Sequence, residues 1–144
     1  MKLSSASPAK RNILVVEDDD DIQSLLKHIL KRDGYDVTCA DSGMTALGAM
    51  AQSIPDLILL DMAMPDMDGL SFLKRRAQFP EFRVIPVICV TARDRNTDVM
   101  AAIEMGADHY VTKPFDNAKL LASIARLMPK TSSLSAEVRA VVWK

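Results

Sequence analysis

The sequence is poor in the residues that carry several common chemistries. It has two cysteines, Cys39 and Cys89, each set inside an apolar run. Thiols so placed read as buried and reduced, which argues against a disulfide staple or a thiolate metal pair. Glycine numbers five, and neither a G-x-G-x-x-G turn nor a P-loop occurs, so the usual nucleotide cradles are missing. No apolar stretch approaches the ~20 residues that span a bilayer. The opening MKLSSASPAKR lacks the apolar centre of a secretory signal. Nor is one sign of charge in excess: the net charge of −1 argues against broad attraction to nucleic acid or anionic lipid. These absences place the chain in the cytoplasm, with no direct nucleic-acid or membrane contact expected.

What is present is an ordinary globular composition, 49% hydrophobic and 26% charged over 144 residues, enough for one domain with one core. Residues 1–10, rich in Ser, Ala and Pro, read as a flexible leader. The domain is expected over 11–129, with a C-terminal tail at 130–144. Within the domain two signals alternate. Short apolar runs at Ile13-Leu14-Val15-Val16, Leu57-Ile58-Leu59-Leu60 and Val87-Ile88-Cys89-Val90 predict strands buried on both faces. Tyr35 to Cys39 alternates like a half-exposed edge strand, and His109-Tyr110-Val111 is a short last one.

Helical periods lie between them. Ile22, Leu25, Leu26, Ile29 and Leu30 mark the first helix, capped by Asp20 or Asp21 and closed by Asp33-Gly34. Met44, Leu47 and Met50 mark the second; Leu70, Phe72, Leu73 and Ala77 the third, ending near Pro80. Val99, Met100, Ile103 and Met105 mark the fourth, stopped by Gly106, and Leu120, Leu121, Ile124 and Leu127 the fifth. Five βα pairs imply a parallel sheet between helix layers. In the tail, Val138, Val141, Val142 and Trp143 are apolar enough to dock as a partial helix.

Parallel strands bring their C-terminal ends to one edge, where open α/β folds place their sites. Glu17 and Asp18 follow the first strand, Asp61 the third, Thr91 the fourth and Lys113-Pro114 the fifth. Three carboxylates on one rim repel unless neutralised, and Mg²⁺ suits carboxylates, waters and phosphate oxygens. An Asp can attack phosphorus to give an aspartyl-phosphate. The transferring group then needs contacts to its oxygens, which a lysine, a hydroxyl and backbone N–H groups supply. Each residue alone has a plainer use, as a cap, a strand end or a solvated charge. The joint placement, one group per strand end, carries the reading.

These blocks resemble the receiver domain of two-component response regulators, the family of the chemotaxis regulator. ILVVEDDDDI is similar to its first strand and acid pair, DLILLDMAMPDMDGL to its phosphoacceptor block, VICVTA to the fourth strand, and GADHYVTKPF to the last strand with its lysine-proline. The resemblance implies a flavodoxin-like doubly wound (βα)5 fold with strand order 2-1-3-4-5. It implies Asp61 as phosphoacceptor from a histidine kinase or phosphotransfer protein, and Glu17, Asp18, Asp61 and the Ala63 carbonyl as Mg²⁺ ligands, with Mn²⁺ able to substitute. Thr91 becomes the switch hydroxyl, Lys113 the phosphate contact and Tyr110 the rotating switch aromatic, with a cis peptide before Pro114. Glu17 stands where many members have Asp.

A rival is a phosphohydrolase of the haloacid-dehalogenase type, whose general acid would stand at Ala63, two residues past the nucleophile. A pseudo-receiver binding module is disfavoured because no acidic or lysine position is missing. A phosphoryl group would draw Thr91, admit Tyr110 and reshape the surface of the fourth helix, last strand and fifth helix for a downstream protein target. Slow loss of the phosphoryl group is expected, since Ala63 cannot orient water and Arg93 can cover it. A monomer or weak dimer is expected, because Val99 and Ser123 stand where OmpR-type dimers carry arginines beside positions such as Arg95 and Glu104. The 15 residues after Pro129 are too few for a DNA-binding domain, which leaves two readings, a stand-alone receiver, slightly favoured, and the receiver piece of a longer protein.

Overall fold

The computed structural model describes residues 10–62, 69–92 and 96–128. The expected leader (but for Lys10), the tail, Ala63 and Arg93 lie outside them. In chain order the elements are β1 (Asn12–Val16), α1 (Asp20–Arg32), β2 (Asp36–Ala40), α2 (Gly43–Gln52), β3 (Leu57–Asp61), α3 (Gly69–Arg76), α4 (Pro80–Arg83), β4 (Val87–Ala92), α5 (Asn96–Glu104), β5 (His109–Lys113) and α6 (Asn117–Leu127). The strands form one parallel sheet in the order β2-β1-β3-β4-β5, as the resemblance implied.

Strand alternation divides the core in two. Leu14 and Val16, Ile58 and Leu60, and Val87 and Cys89 point to the layer of α2, α3, α4 and α5, meeting Met50, Phe72, Leu73 and Phe82. Ile13 and Val15, Leu57 and Leu59, and Ile88 point the other way, onto Leu26 and Leu30 of α1 and Leu120 and Ile124 of α6. Runs apolar on every residue are what a sheet covered on both faces requires. The edge strand β2 shows the expected alternation, with Asp36 and Thr38 exposed. Both cysteines are free: Cys89 is buried, but Cys39 on that edge is only half-buried.

Four local readings are corrected. The cap of α1 is Asp19, not Asp20 or Asp21; its Oδ1 accepts from the Asp21 and Ile22 N–H groups at 2.9 and 3.0 Å. Asp20 and Asp21 sit in the first turn, where their charges meet the positive helix end. Pro80 does not merely stop α3, which ends at Arg76; it opens the extra short helix α4, where a missing N–H costs nothing. Met100 and Ile103 of α5 are 65% and 50% exposed, while Ala102 is buried. The helix thus packs Ala102 inward and presents Met100 and Ile103 outward. Met44 of α2 is also exposed, leaving Met50 and Ala46 to fill the core.

Candidate functional site at the carboxyl edge of the sheet

Strand register assembles the site. Val16 pairs with Leu60, so the next residues, Glu17 and Asp61, emerge side by side. Asp61 pairs with Val90, and Met62 N–H donates to the Val90 carbonyl at 3.0 Å, placing Thr91 on the adjoining strand end. Ala92 pairs with Lys113, which brings the last strand's lysine to the same edge. Glu17 is pinned by its own backbone, whose N–H donates to the Ala40 carbonyl at 3.0 Å. Its carbonyl accepts from the Gln23 side-chain amide at 2.9 Å, and its Oε2 accepts from the Asp19 N–H at 3.2 Å.

Glu17 and Asp61 are buried, at 2% and 5% exposure, and Asp18 opens the cluster to solvent. One oxygen from each of the three carboxyl groups lies within 4.8 Å of the others. Lys113 Nζ stands 3.5 Å from Glu17 Oε1 and 3.6 Å from Asp61 Oδ1. One lysine against three carboxylates leaves the cluster short of positive charge. Glu17 registers the deficit: burial, then the charge of Asp61, push its carboxyl up to about 7, and nearby Lys113 does not offset them. Oxygen-only donors this close, with an excess of negative charge, fit a small hard cation such as Mg²⁺.

Gly69 marks how closely the chain returns to this edge. A Cβ there would lie 2.6 Å from Met62 Sδ and 2.8 Å from Met62 Cα. Only glycine lets the first turn of α3 press against the backbone that follows Asp61. Thr91 is buried, at 2% exposure. Tyr110 is 42% exposed, with its ring centroid 5.9 Å from that of His109. The Lys113–Pro114 peptide is cis, as the resemblance implied. The structure therefore brings together Glu17, Asp18, Asp61 and Lys113, with Thr91 on the next strand end and Tyr110 outward on the edge strand. Ala63 and Arg93 lie outside the described residues. Sequence reasoning passed over Asp19, Gln23 and the close approach at Gly69. The D-x-D-G spacing at 66–69 was the available signal for the last.

A doubly wound parallel sheet with an acid trio and a lysine at its carboxyl edge defines the class: an α/β scaffold with its site at the strand ends, where such folds bind ligands. The family model for the response regulator receiver domain matches residues 13–125, and the chain belongs to that family. This match sets aside the haloacid-dehalogenase reading. The transcriptional regulatory protein CseB of Streptomyces avermitilis is 41% identical over 117 residues, covering 81% of this chain and 48% of that protein. The chain thus spans about half the length of the curated relatives it matches. The signal receiver domain of a signal transduction histidine kinase from Syntrophus aciditrophicus is 35% identical, with a TM-score of 0.77 over 88% of this chain and 98% of that one. The receiver domain of the sensor histidine kinase PA1611 from Pseudomonas aeruginosa, solved with magnesium in its active-site cleft, is 30% identical. Its TM-score is 0.76, over 83% of this chain and 98% of that one.

Proposed function

We propose that Asp61 accepts a phosphoryl group from the phosphohistidine of a kinase or phosphotransfer protein. The observation that carries this is the position of Asp61 between Glu17 and Lys113: a buried carboxylate with a lysine at 3.6 Å and an acid pair beside it. An Asp61 oxygen bonds to phosphorus as the bond from phosphorus to the donor imidazole nitrogen breaks. The imidazole leaves with that electron pair. Glu17, Asp18 and Asp61 would hold Mg²⁺, or Mn²⁺ in its place, with the Ala63 carbonyl. When bound, the ion supplies positive charge to the phosphoryl oxygens. Lys113 gives those oxygens a second cation, and Thr91 a hydroxyl.

Phosphorylation then shifts a population. Thr91 is drawn to the phosphoryl group, and Tyr110, outward in this structure, turns into the vacated space. The face of α5, β5 and α6 changes shape and meets a downstream protein; Met100 and Ile103 already stand exposed there. The receiver acts in the cytoplasm, as a monomer or weak dimer, through protein rather than nucleic-acid contact. Its phosphoryl group is long-lived, because Ala63 offers in-line water no hydrogen bond and Arg93 pairs with the phosphoryl oxygens. Ala63→Asn and Arg93→Glu should each speed its loss after donor removal.

The test is intact mass after incubation with Mg²⁺ and acetyl phosphate. The chain should gain one phosphoryl mass, and chelation or Asp61→Asn should abolish the gain. An adduct that persists in Asp61→Asn overturns the assignment.

A further inference from the structure

The acid pair at the end of β1 is held by a residue that carries no charge. Glu17 and Asp18 share one peptide unit, so turning that unit moves both carboxylates. Its carbonyl accepts from the Gln23 side-chain amide at 2.9 Å. The same amide nitrogen donates to the Ala40 carbonyl, at the end of β2, at 3.4 Å. Both partners are carbonyl oxygens, so only the NH2 end of the amide can face them, and it has two N–H donors to give. One half-buried side chain on α1 thus ties together two neighbouring strand ends.

Gln23 is itself fixed. Its backbone N–H donates to the Asp19 carbonyl at 2.9 Å, which closes the first turn of α1. Asp19, the cap of that helix, gives its own N–H to Glu17 Oε2 at 3.2 Å. The short stretch from Glu17 to Gln23 is therefore closed twice, once through the Gln23 side chain and once through the Asp19 backbone. The Ala40 carbonyl also takes the Glu17 N–H at 3.0 Å, so β2 serves as the fixed point for both.

Such rigidity matters more to one cation than to another. Mg²⁺ demands near-ideal octahedral geometry at about 2.0–2.1 Å, whereas Ca²⁺ accepts a flexible shell at about 2.3–2.6 Å. We propose that Gln23 is a positioning residue for the cation site: its amide holds the Glu17–Asp18 peptide in place and so favours Mg²⁺ over Ca²⁺. The inference rests on the reading of Glu17, Asp18 and Asp61 as that site.

The test is titration of the 144-residue chain, without phosphodonor, with Mg²⁺ and separately with Ca²⁺, each affinity read from the rise in melting temperature. Gln23→Met keeps the side chain's length and helical preference but removes the donor. It should weaken Mg²⁺ by about tenfold, the lower end for losing a group that orients a metal ligand, and Ca²⁺ by much less. Gln23→Glu cannot donate either. Its added negative charge draws both cations alike, yet the preference for Mg²⁺ should still fall. Gln23→Lys keeps N–H donors, so the preference should return toward that of the unmodified chain although its charge weakens both cations. A ratio of Mg²⁺ to Ca²⁺ affinity unchanged in both Gln23→Met and Gln23→Glu overturns the proposal and leaves the cation site standing. If Mg²⁺ does not raise the melting temperature of the unmodified chain, or if Asp18→Asn and Asp61→Asn leave its effect intact, the cation site itself fails, and the proposal with it.

Discussion

The two edges of the sheet use the same residue type in opposite ways. At the amino edge, Asp56 accepts from the Asn12 N–H at 2.8 Å and faces Arg11 at 3.6 Å, while Asp108 accepts from the Val87 N–H at 2.9 Å. Those carboxylates close the sheet and are satisfied by it. At the carboxyl edge, Glu17 and Asp61 are buried against each other with Lys113 shared between them. An acid at the amino edge is there for stability. The acids at the carboxyl edge cost stability and gain a site, the exchange expected where function overrides local consistency.

That contrast predicts effects of different sign and size. The largest belongs to Gly69→Ala, whose Cβ would meet the Met62 backbone at 2.8 Å and force it to move. Thermal or urea unfolding should show a loss of about 3 kcal/mol, at the upper end for overpacking. Next is Asp56→Ala, which strips the Asn12 N–H of its partner and leaves buried Arg11 unpaired. A loss of about 2 kcal/mol is expected by the same measurement. No loss would mean that the amino edge is not held by this acid.

Glu17→Gln should move the other way, stabilising the metal-free chain at pH 8 by about 1 kcal/mol. The sign follows from the carboxyl raised from its usual 4.5 to about 7. The fold holds a proton that the unfolded chain releases, so the penalty for ionising Glu17 is absent below about 4.5. It grows between 4.5 and 7 and is complete above that. Metal-free stability should therefore fall as pH rises through that window, and Glu17→Gln should flatten the profile. Added Mg²⁺ should raise the melting temperature of the unmodified chain at pH 8, and raise that of Glu17→Gln far less. The smallest effect is Tyr110→Ala: at 42% exposure its loss should change stability by under about 0.5 kcal/mol, yet impair binding of the downstream protein after phosphorylation.

Much of this was legible before the structure because strand burial writes itself into unbroken apolar runs. Three runs fixed β1, β3 and β4, and the residues that follow them named Glu17, Asp18, Asp61 and Thr91. The failures fall where pattern underdetermines geometry. Four successive aspartates at 18–21 cannot tell which one caps α1, since only backbone angle selects Asp19. In α5, apolar spacing pointed to Met100 and Ile103 as core, but the helix packs through Ala102. Periodicity reports that a face is apolar, not what covers it. Arg76 was also hidden: a basic residue in a run of three, it is 1% exposed and donates to the Arg83 carbonyl at 3.2 Å.

The central claim is that Asp61, crowded at the carboxyl edge, is the sole phosphoryl acceptor. The direct measurement is borohydride reduction of the acetyl-phosphate-treated chain, followed by peptide mapping. An aspartyl-phosphate is reduced to homoserine, so the account predicts that conversion at position 61 and at no other carboxylate, only when Mg²⁺ is present. Conversion at Asp18 or Asp56, or a phosphoryl group stable to borohydride on a serine or histidine, would contradict it.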